Sequence, residues 1–85
     1  MRNLAFTPSA FNEYNAWFET NPQIIQRIKT LIREIDHEPF KGIGKPEPLK
    51  GNWSGYWSRR IDQEHRLIYR VTNEQILIAK CKGHY

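Results

Sequence analysis

Between Ile43 and Tyr69 the chain reads I-G-K-P-E-P-L-K-G-N-W-S-G-Y-W-S-R-R-I-D-Q-E-H-R-L-I-Y, and the tail is Cys81-Lys82-Gly83-His84-Tyr85. One carboxylate, Glu47, sits in a loop rich in lysine and proline. Arg59, Arg60 and Arg66 follow on strand-like segments, and a histidine and a tyrosine stand in the tail. Acid and base groups set among concentrated positive charge are what phosphodiester cleavage needs. A base takes a proton from the attacking hydroxyl, an acid gives one to the leaving oxygen, and cations hold the charge that develops on phosphorus.

Taken one at a time, these residues also have ordinary readings. Glu47 fits a general base or a solvated loop carboxylate. Arg66 and Arg70 suit a phosphate clamp as well as pairing with surface acids. His84 has the titration range of a proton donor near neutral pH, but a histidine this close to a chain end is also found frayed. Tyr85 suits stacking on a base or plain terminal decoration. His37 and His65 share no metal-ligand spacing with each other or with Cys81, so no metal site is expected. Cys81 falls on an apolar strand position, where a buried thiol is the expected state. Gly42 and Gly44 lack the strand-to-helix setting of a nucleotide-binding loop.

The elements that must position these groups read clearly in the first half. Asn3 to Phe6 is a short strand, and Thr7-Pro8 caps a helix whose apolar face is expected from Phe11, Tyr14 and Phe18 with Trp17 beside them. Asn21-Pro22 starts a second helix with one strong stripe: Ile24, Ile28, Leu31 and Ile35, widened by Ile25 and Ile32. Pro39 ends it. After a Lys/Gly/Pro loop from Phe40 to Gly51, the remainder alternates as strands turning at Asp62-Gln63-Glu64 and Asn73-Glu74. The prolines at 46 and 48 hold Glu47 extended.

Strand parity then sorts the side chains, because alternate residues face opposite sides of a sheet. The odd positions Trp53, Trp57, Ile61, Leu67, Tyr69, Val71, Leu77, Ala79 and Cys81 form the expected floor under the helices. The even positions Arg60, Arg66, Arg70, Lys80, Lys82 and His84, with Ile68, Ile76 and Ile78 between them, form an expected basic open face. The expected arrangement is a sheet with the two helices on one face and a basic open face on the other.

Composition agrees with one small domain. The chain has 85 residues, 39% hydrophobic and 13% aromatic, enough for a compact core and too apolar for disorder. The net charge of +4 favours an anionic partner. A single cysteine excludes an internal disulfide and suits a reducing compartment, and no stretch reads as a signal peptide or a membrane span. The expectation is a soluble, cytoplasmic domain spanning residues 1–85.

In combination the motifs are more specific than any residue alone. Gly44-Lys45-Pro46-Glu47-Pro48-Leu49-Lys50, Ser54-Gly55-Tyr56-Trp57-Ser58-Arg59-Arg60-Ile61, Glu64-His65-Arg66-Leu67-Ile68-Tyr69 and the ending Cys81 with His84-Tyr85 resemble the YoeB toxins. These belong to the RelE/ParE superfamily of toxin–antitoxin ribonucleases. The resemblance is dense from Pro39 to Thr72 and in the tail, and looser over the first helix. It implies a RelE-like, microbial-ribonuclease-like fold of the α+β class, with two N-terminal helices packed on one face of a twisted antiparallel sheet, and cleavage of mRNA in the ribosomal A site without a metal or other cofactor. It also implies inhibition by a YefM-type antitoxin, with operator DNA bound only through the antitoxin complex, and homodimerisation as family behaviour. Carried over by position, Glu47 is the general base, His84 the general acid, Arg66 the phosphate-stabilising arginine and Tyr85 the terminal tyrosine that shapes the site. Lys50 and Arg60 match further basic positions near the substrate, and Arg59, Lys80 and Lys82 are expected to join them in contacting RNA. Lys82-Gly83 departs from the Arg-Tyr pair expected before His84.

Three other readings compete. A nucleic-acid-binding module would use the basic face with Trp53, Tyr56 or Tyr85 for stacking, but has no need of Glu47, which repels phosphate. A ParE-like inhibitor of DNA gyrase would need none of Glu47, Arg66 and His84. A plain interaction domain would leave both the charge and the tail without a task.

Overall fold

The computed structural model describes residues 1–84. In chain order it runs β1 (Asn3–Phe6), α1 (Pro8–Thr20), α2 (Pro22–His37), β2 (Glu47–Pro48), a 3₁₀ turn (Gly51–Trp53), β3 (Trp57–Arg60), β4 (Arg66–Val71) and β5 (Gln75–Lys80). The five strands form one sheet in the order β1-β5-β4-β3-β2.

Both helices start where the sequence signals them. Thr7 Oγ1 accepts the Ala10 amide at 3.1 Å, and proline occupies the first turn of each helix, where its missing N–H costs nothing. The α2 stripe is buried as expected, with Ile24, Ile25, Ile28, Leu31, Ile32 and Ile35 all in the core. Each such burial contributes roughly 1.5–3 kcal/mol, so α2 is held mainly by its apolar face. On α1 the outcome differs from the expected face. Ala10 and Trp17 are buried, whereas Phe11 and Phe18 are about half exposed. Aromatic residues stand on more than one side of this helix, and Trp17 is the one whose indole finds a buried acceptor, the Cys81 carbonyl at 2.9 Å.

Two features of the sheet also depart from expectation. It is mixed rather than wholly antiparallel, because β1 pairs parallel to β5, with Asn3 opposite Gln75 and Phe6 opposite Ile78. The other pairs are antiparallel. The second departure is a bulge in β5: Tyr69 faces Ile78 while Ile68 faces Lys80, so Ala79 is an extra residue. Ile76 and Ile78 therefore join Leu67, Tyr69 and Cys81 in the core beneath the helices. Ala79 joins Ile68 and Leu49 in a smaller cluster on the opposite face, against which Trp53 and Tyr56 pack. The parity reading placed Ile76, Leu77, Ile78 and Ala79 on the wrong sides, since it carried one phase through the bulge.

No helix among the described residues is long and apolar enough to cross a membrane.

Candidate active site

The open face is built from β2, β3 and β4. Glu47 pairs with Ser58, Ser58 with Ile68, and Arg60 with Arg66. Glu47, Ser58, Ile68, Arg60 and Arg66 therefore share the face opposite the helices. Across this row the Arg66 guanidinium donates from one Nη1 to Glu47 Oε1 at 3.3 Å and to Ser58 Oγ at 3.1 Å. Arg66 is 18% exposed and Glu47 52% exposed, so a cation embedded in the sheet stands beside a carboxylate open to solvent. Such a pair contributes at most about 1 kcal/mol to stability; its significance is placement.

Glu47 reaches this spot because the loop before it is docked tightly on β3. Gly44 has φ +82°, and a Cβ there would lie 3.1 Å from Arg59 Cβ, the Arg60 carbonyl and Leu31 Cδ2. The Gly44 carbonyl accepts the Arg60 amide at 2.6 Å. Only glycine permits both the backbone angle and this approach. Farther back, Arg59 holds the loop from inside. Its Nη2 donates to the carbonyls of Glu38 (2.6 Å) and Lys41 (2.8 Å), its Nη1 to Ile43 (3.2 Å) and its Nε to Tyr69 Oη (3.1 Å). Tyr69 Oη in turn donates to the Pro39 carbonyl at 2.9 Å. Burial raises the Tyr69 phenol above its ordinary pKa, with Arg59 acting in the opposite direction.

The tail reaches the same row from the other side. Gly83 accepts the Arg66 amide at its carbonyl (3.1 Å), and its own N–H donates to His65 Nδ1 (2.8 Å). His84 follows directly and is exposed. Further in, Cys81 donates its amide to Glu13 Oε1 at 2.8 Å and accepts the Trp17 indole N–H. Its thiol is fully buried, and desolvation, with the charge of Glu13, pushes its pKa up to about 12. A thiol so protected is a core group, not a nucleophile.

With this geometry in view, the similarity to known proteins is direct. Residues 6–85 match the model of the YoeB-like toxins of bacterial type II toxin–antitoxin systems. The chain belongs to the YoeB toxin family. Among its relatives, the YoeB toxin of Streptomyces coelicolor is 49% identical over 82 residues, 96% of this chain and 98% of that one. A YoeB dimer from Staphylococcus aureus superposes with a TM-score of 0.93 at 45% identity, covering 99% of this chain and 98% of that one. A heterotetrameric YoeB–YefM toxin–antitoxin complex from the same organism gives 0.92 at 44% identity, covering 100% and 99%. The α+β architecture, two helices on a five-stranded mixed sheet, is thus that of solved YoeB toxins.

Against this YoeB-like frame, the sequence-derived site divides into three groups. Glu47 and Arg66 are brought together, and His84 is tied to the same strand through Gly83. Arg60 and Lys80 lie on the open face with Arg66, and Lys50 is exposed at the start of the 3₁₀ turn, three residues beyond Glu47. Arg59 is a correction: it is fully buried, with all its guanidinium nitrogens engaged by the protein, so it cannot contact RNA. Its odd position beside Tyr69 and Leu67 carried that signal. Lys82 is joined to α1 instead, its ammonium 5.8 Å from the Trp17 ring centroid. Tyr85 lies outside the described residues. The sequence reading missed Ser58 and His65. Ser58 shares the parity of Arg60 and Arg66 and could have been found by it; nothing in the sequence links His65 to Gly83.

Proposed function

We propose that this YoeB-family toxin is a ribosome-dependent endoribonuclease that cuts mRNA in the ribosomal A site and so stops translation. The observation that carries the reading is the Arg66 guanidinium bridging Glu47 and Ser58, beside a tail that presents His84. A non-catalytic binder gains nothing from a carboxylate in the middle of its cationic face.

Glu47 accepts the proton of a ribose 2′-OH, and the resulting oxygen attacks the adjacent phosphorus. Arg66, with Lys50 and Arg60, stabilises the charge gathering on the phosphoryl oxygens. The bond from phosphorus to the 5′ oxygen breaks, and His84 gives that oxygen its proton. The products are a 2′,3′-cyclic phosphate, or the 3′-phosphate from its opening, and a 5′-OH. Arg66 on Glu47 in the free protein means that the scissile phosphate competes with the carboxylate for the guanidinium as substrate enters. Tyr85 is assigned to shaping the site, and Lys80 to binding the RNA backbone. The basic face makes docking on ribosomal RNA dependent on salt.

The partner that fits is a YefM-type antitoxin, as in the Staphylococcus aureus complex, and this chain reaches operator DNA only through its own antitoxin. Homodimerisation follows the Staphylococcus aureus dimer, and the working compartment is the cytoplasm. Primer extension on an mRNA in a purified translation system tests the activity, with wild-type protein and His84→Ala, each with and without ribosomes. Ribosome-dependent cuts within the A-site codon, lost in His84→Ala and on a substrate carrying 2′-deoxyribose at the scissile position, are expected. Ribosome association without any cut would favour the binding module, and no association a protein target.

A further inference from the structure

The acid His84 is carried on a tail beyond the last strand, and something must hold it still. His65 occupies the residue before β4, and its backbone is fixed by the hairpin: its carbonyl accepts the Ile61 amide at 2.9 Å and its amide donates to Asp62 Oδ1 at 2.7 Å. Its ring is fixed by Trp17, edge to face at 4.8 Å between centroids. The side chain is only 13% exposed, and its Nε2 lies 3.7 Å from Glu64 Oε2. That leaves Nδ1 directed at the Gly83 amide, 2.8 Å away.

An amide N–H can only donate, so Nδ1 must be the unprotonated nitrogen and the ring proton of the neutral imidazole must sit on Nε2. The next residue, Arg66, donates its own amide to the Gly83 carbonyl at 3.1 Å. Gly83 is thus gripped at both its polar groups by consecutive residues, one of which is the arginine assigned to the phosphate. Its φ of +75° is one that glycine adopts freely, and a Cβ there would meet no atom within 4 Å, so the requirement is backbone angle rather than space.

We propose that His65 is the positioning residue for His84: its Nδ1, as acceptor for the Gly83 amide, fixes the tail residue directly before His84, beside the strand that bears Arg66. This rests on the ribonuclease reading for the role of His84, but the grip itself does not. His65 touches no reacting atom; it acts through one backbone hydrogen bond. Displacing a catalytic group by about 1 Å costs on the order of 10²-fold in rate, which sets the scale of the effect.

Two full-length variants separate the acceptor from the ring. His65→Phe keeps a ring against Trp17 and lacks the acceptor; His65→Asn loses the ring but places an oxygen close to where Nδ1 stood. Amide hydrogen exchange by NMR on the free protein is read together with ribosome-dependent cleavage. In His65→Phe the Gly83 amide is expected to exchange about tenfold faster while the β4 and β5 amides keep their protection. Its kcat falls about 10²-fold with an unchanged half-saturating ribosome concentration. His65→Asn recovers most of both. Gly83 protection unchanged in His65→Phe, or lost in His65→Asn, overturns the proposal. So does a kcat in His65→Phe equal to that of wild type. If the wild-type protein cuts no RNA, the ribonuclease reading fails, and the exchange results alone decide whether His65 holds the tail.

Discussion

The proposed base and the proposed acid come to the sheet on two segments that are fastened in different ways. The loop bearing Glu47 is held by a buried guanidinium: Arg59 ties down three carbonyls between Glu38 and Ile43, and Gly44 is pressed against β3. The tail bearing His84 is held at Cys81 by Glu13 and Trp17 of α1, and at Gly83 by a largely buried histidine and one backbone amide. Opening the loop leaves the buried Arg59 guanidinium without its acceptors, whereas opening the tail beyond Cys81 exposes groups that water can satisfy. The loop that carries the proposed base is therefore tied into the folded core's own hydrogen bonding, and the proposed acid is on a latch. A latch is the cheaper place for a partner to switch such a site off, since only local free energy has to be overcome.

The strongest way to test this division is to remove chemistry without touching either fastening. Glu47→Gln keeps the size of the side chain and loses the base, so kcat for ribosome-dependent cleavage should fall about 10²–10⁴-fold. Thermal unfolding should stay where it is, because the exposed Glu47–Arg66 pair contributes little to stability. Arg66→Ala is expected to cost about 10²–10³-fold in the same assay. A glutamine variant that cuts as fast as wild type would remove Glu47 from the mechanism.

Next in size is the loop's fastening. Arg59→Met fills much of the same volume but leaves the carbonyls of Glu38, Lys41 and Ile43 without their donor, each unpaired group costing roughly 1–3 kcal/mol before relaxation. A net loss of about 3 kcal/mol is expected, and at roughly 4–8 °C per kcal/mol for a domain this small the melting temperature drops by about 12–24 °C. Thermal unfolding followed by circular dichroism measures it. A shift of no more than a few degrees would show that the loop does not depend on Arg59.

These contrasts also mark what the sequence could tell. The α2 stripe was legible because six apolar residues repeat at helical spacing, and the hairpins because turn residues separate alternating strands. Glu47, Arg66 and His84 were legible as a set because their identities, in that order, match a family pattern. The face of α1 was not, since Phe11, Tyr14, Trp17 and Phe18 offer more than one apolar side and the tail decides between them through Trp17. The parallel partner of β1 lies some seventy residues away, and a four-residue strand has no pattern that names it. The bulge at Ala79 was invisible because a register shift depends on both strands at once, yet it is what keeps Lys80 on the open face and sends Cys81 inward. Arg59 was misread for a different reason: its charge was weighed above its parity.

The smallest effect at neutral pH, and the one that separates the two fastenings by titration, belongs to Cys81. Its thiol is raised from an ordinary 9.0 to about 12 by burial first and by the Glu13 charge second. The folded state thus holds the proton more tightly than the unfolded state does. Below pH 9 both states are protonated and the thiol contributes no pH dependence; between 9 and 12 the unfolded state alone releases its proton, so stability falls as pH rises. Tyr69, in the loop's fastening, is also raised, from 10.0, and acts in the same direction at higher pH. Urea unfolding at intervals across this range should show stability declining from about pH 9 in the wild type. In Cys81→Ala the first part of that decline should vanish, leaving the later part from Tyr69 and from Tyr14, which burial also raises from 10.0, whatever the substitution does to stability at neutral pH. The slope, not the absolute value, is therefore the quantity to compare. A wild-type slope that persists unchanged in Cys81→Ala would mean that the thiol is not shielded as the tail's packing requires. A flattened one would place the first alkaline failure of the molecule at the root of the tail, before the loop that carries Glu47 gives way.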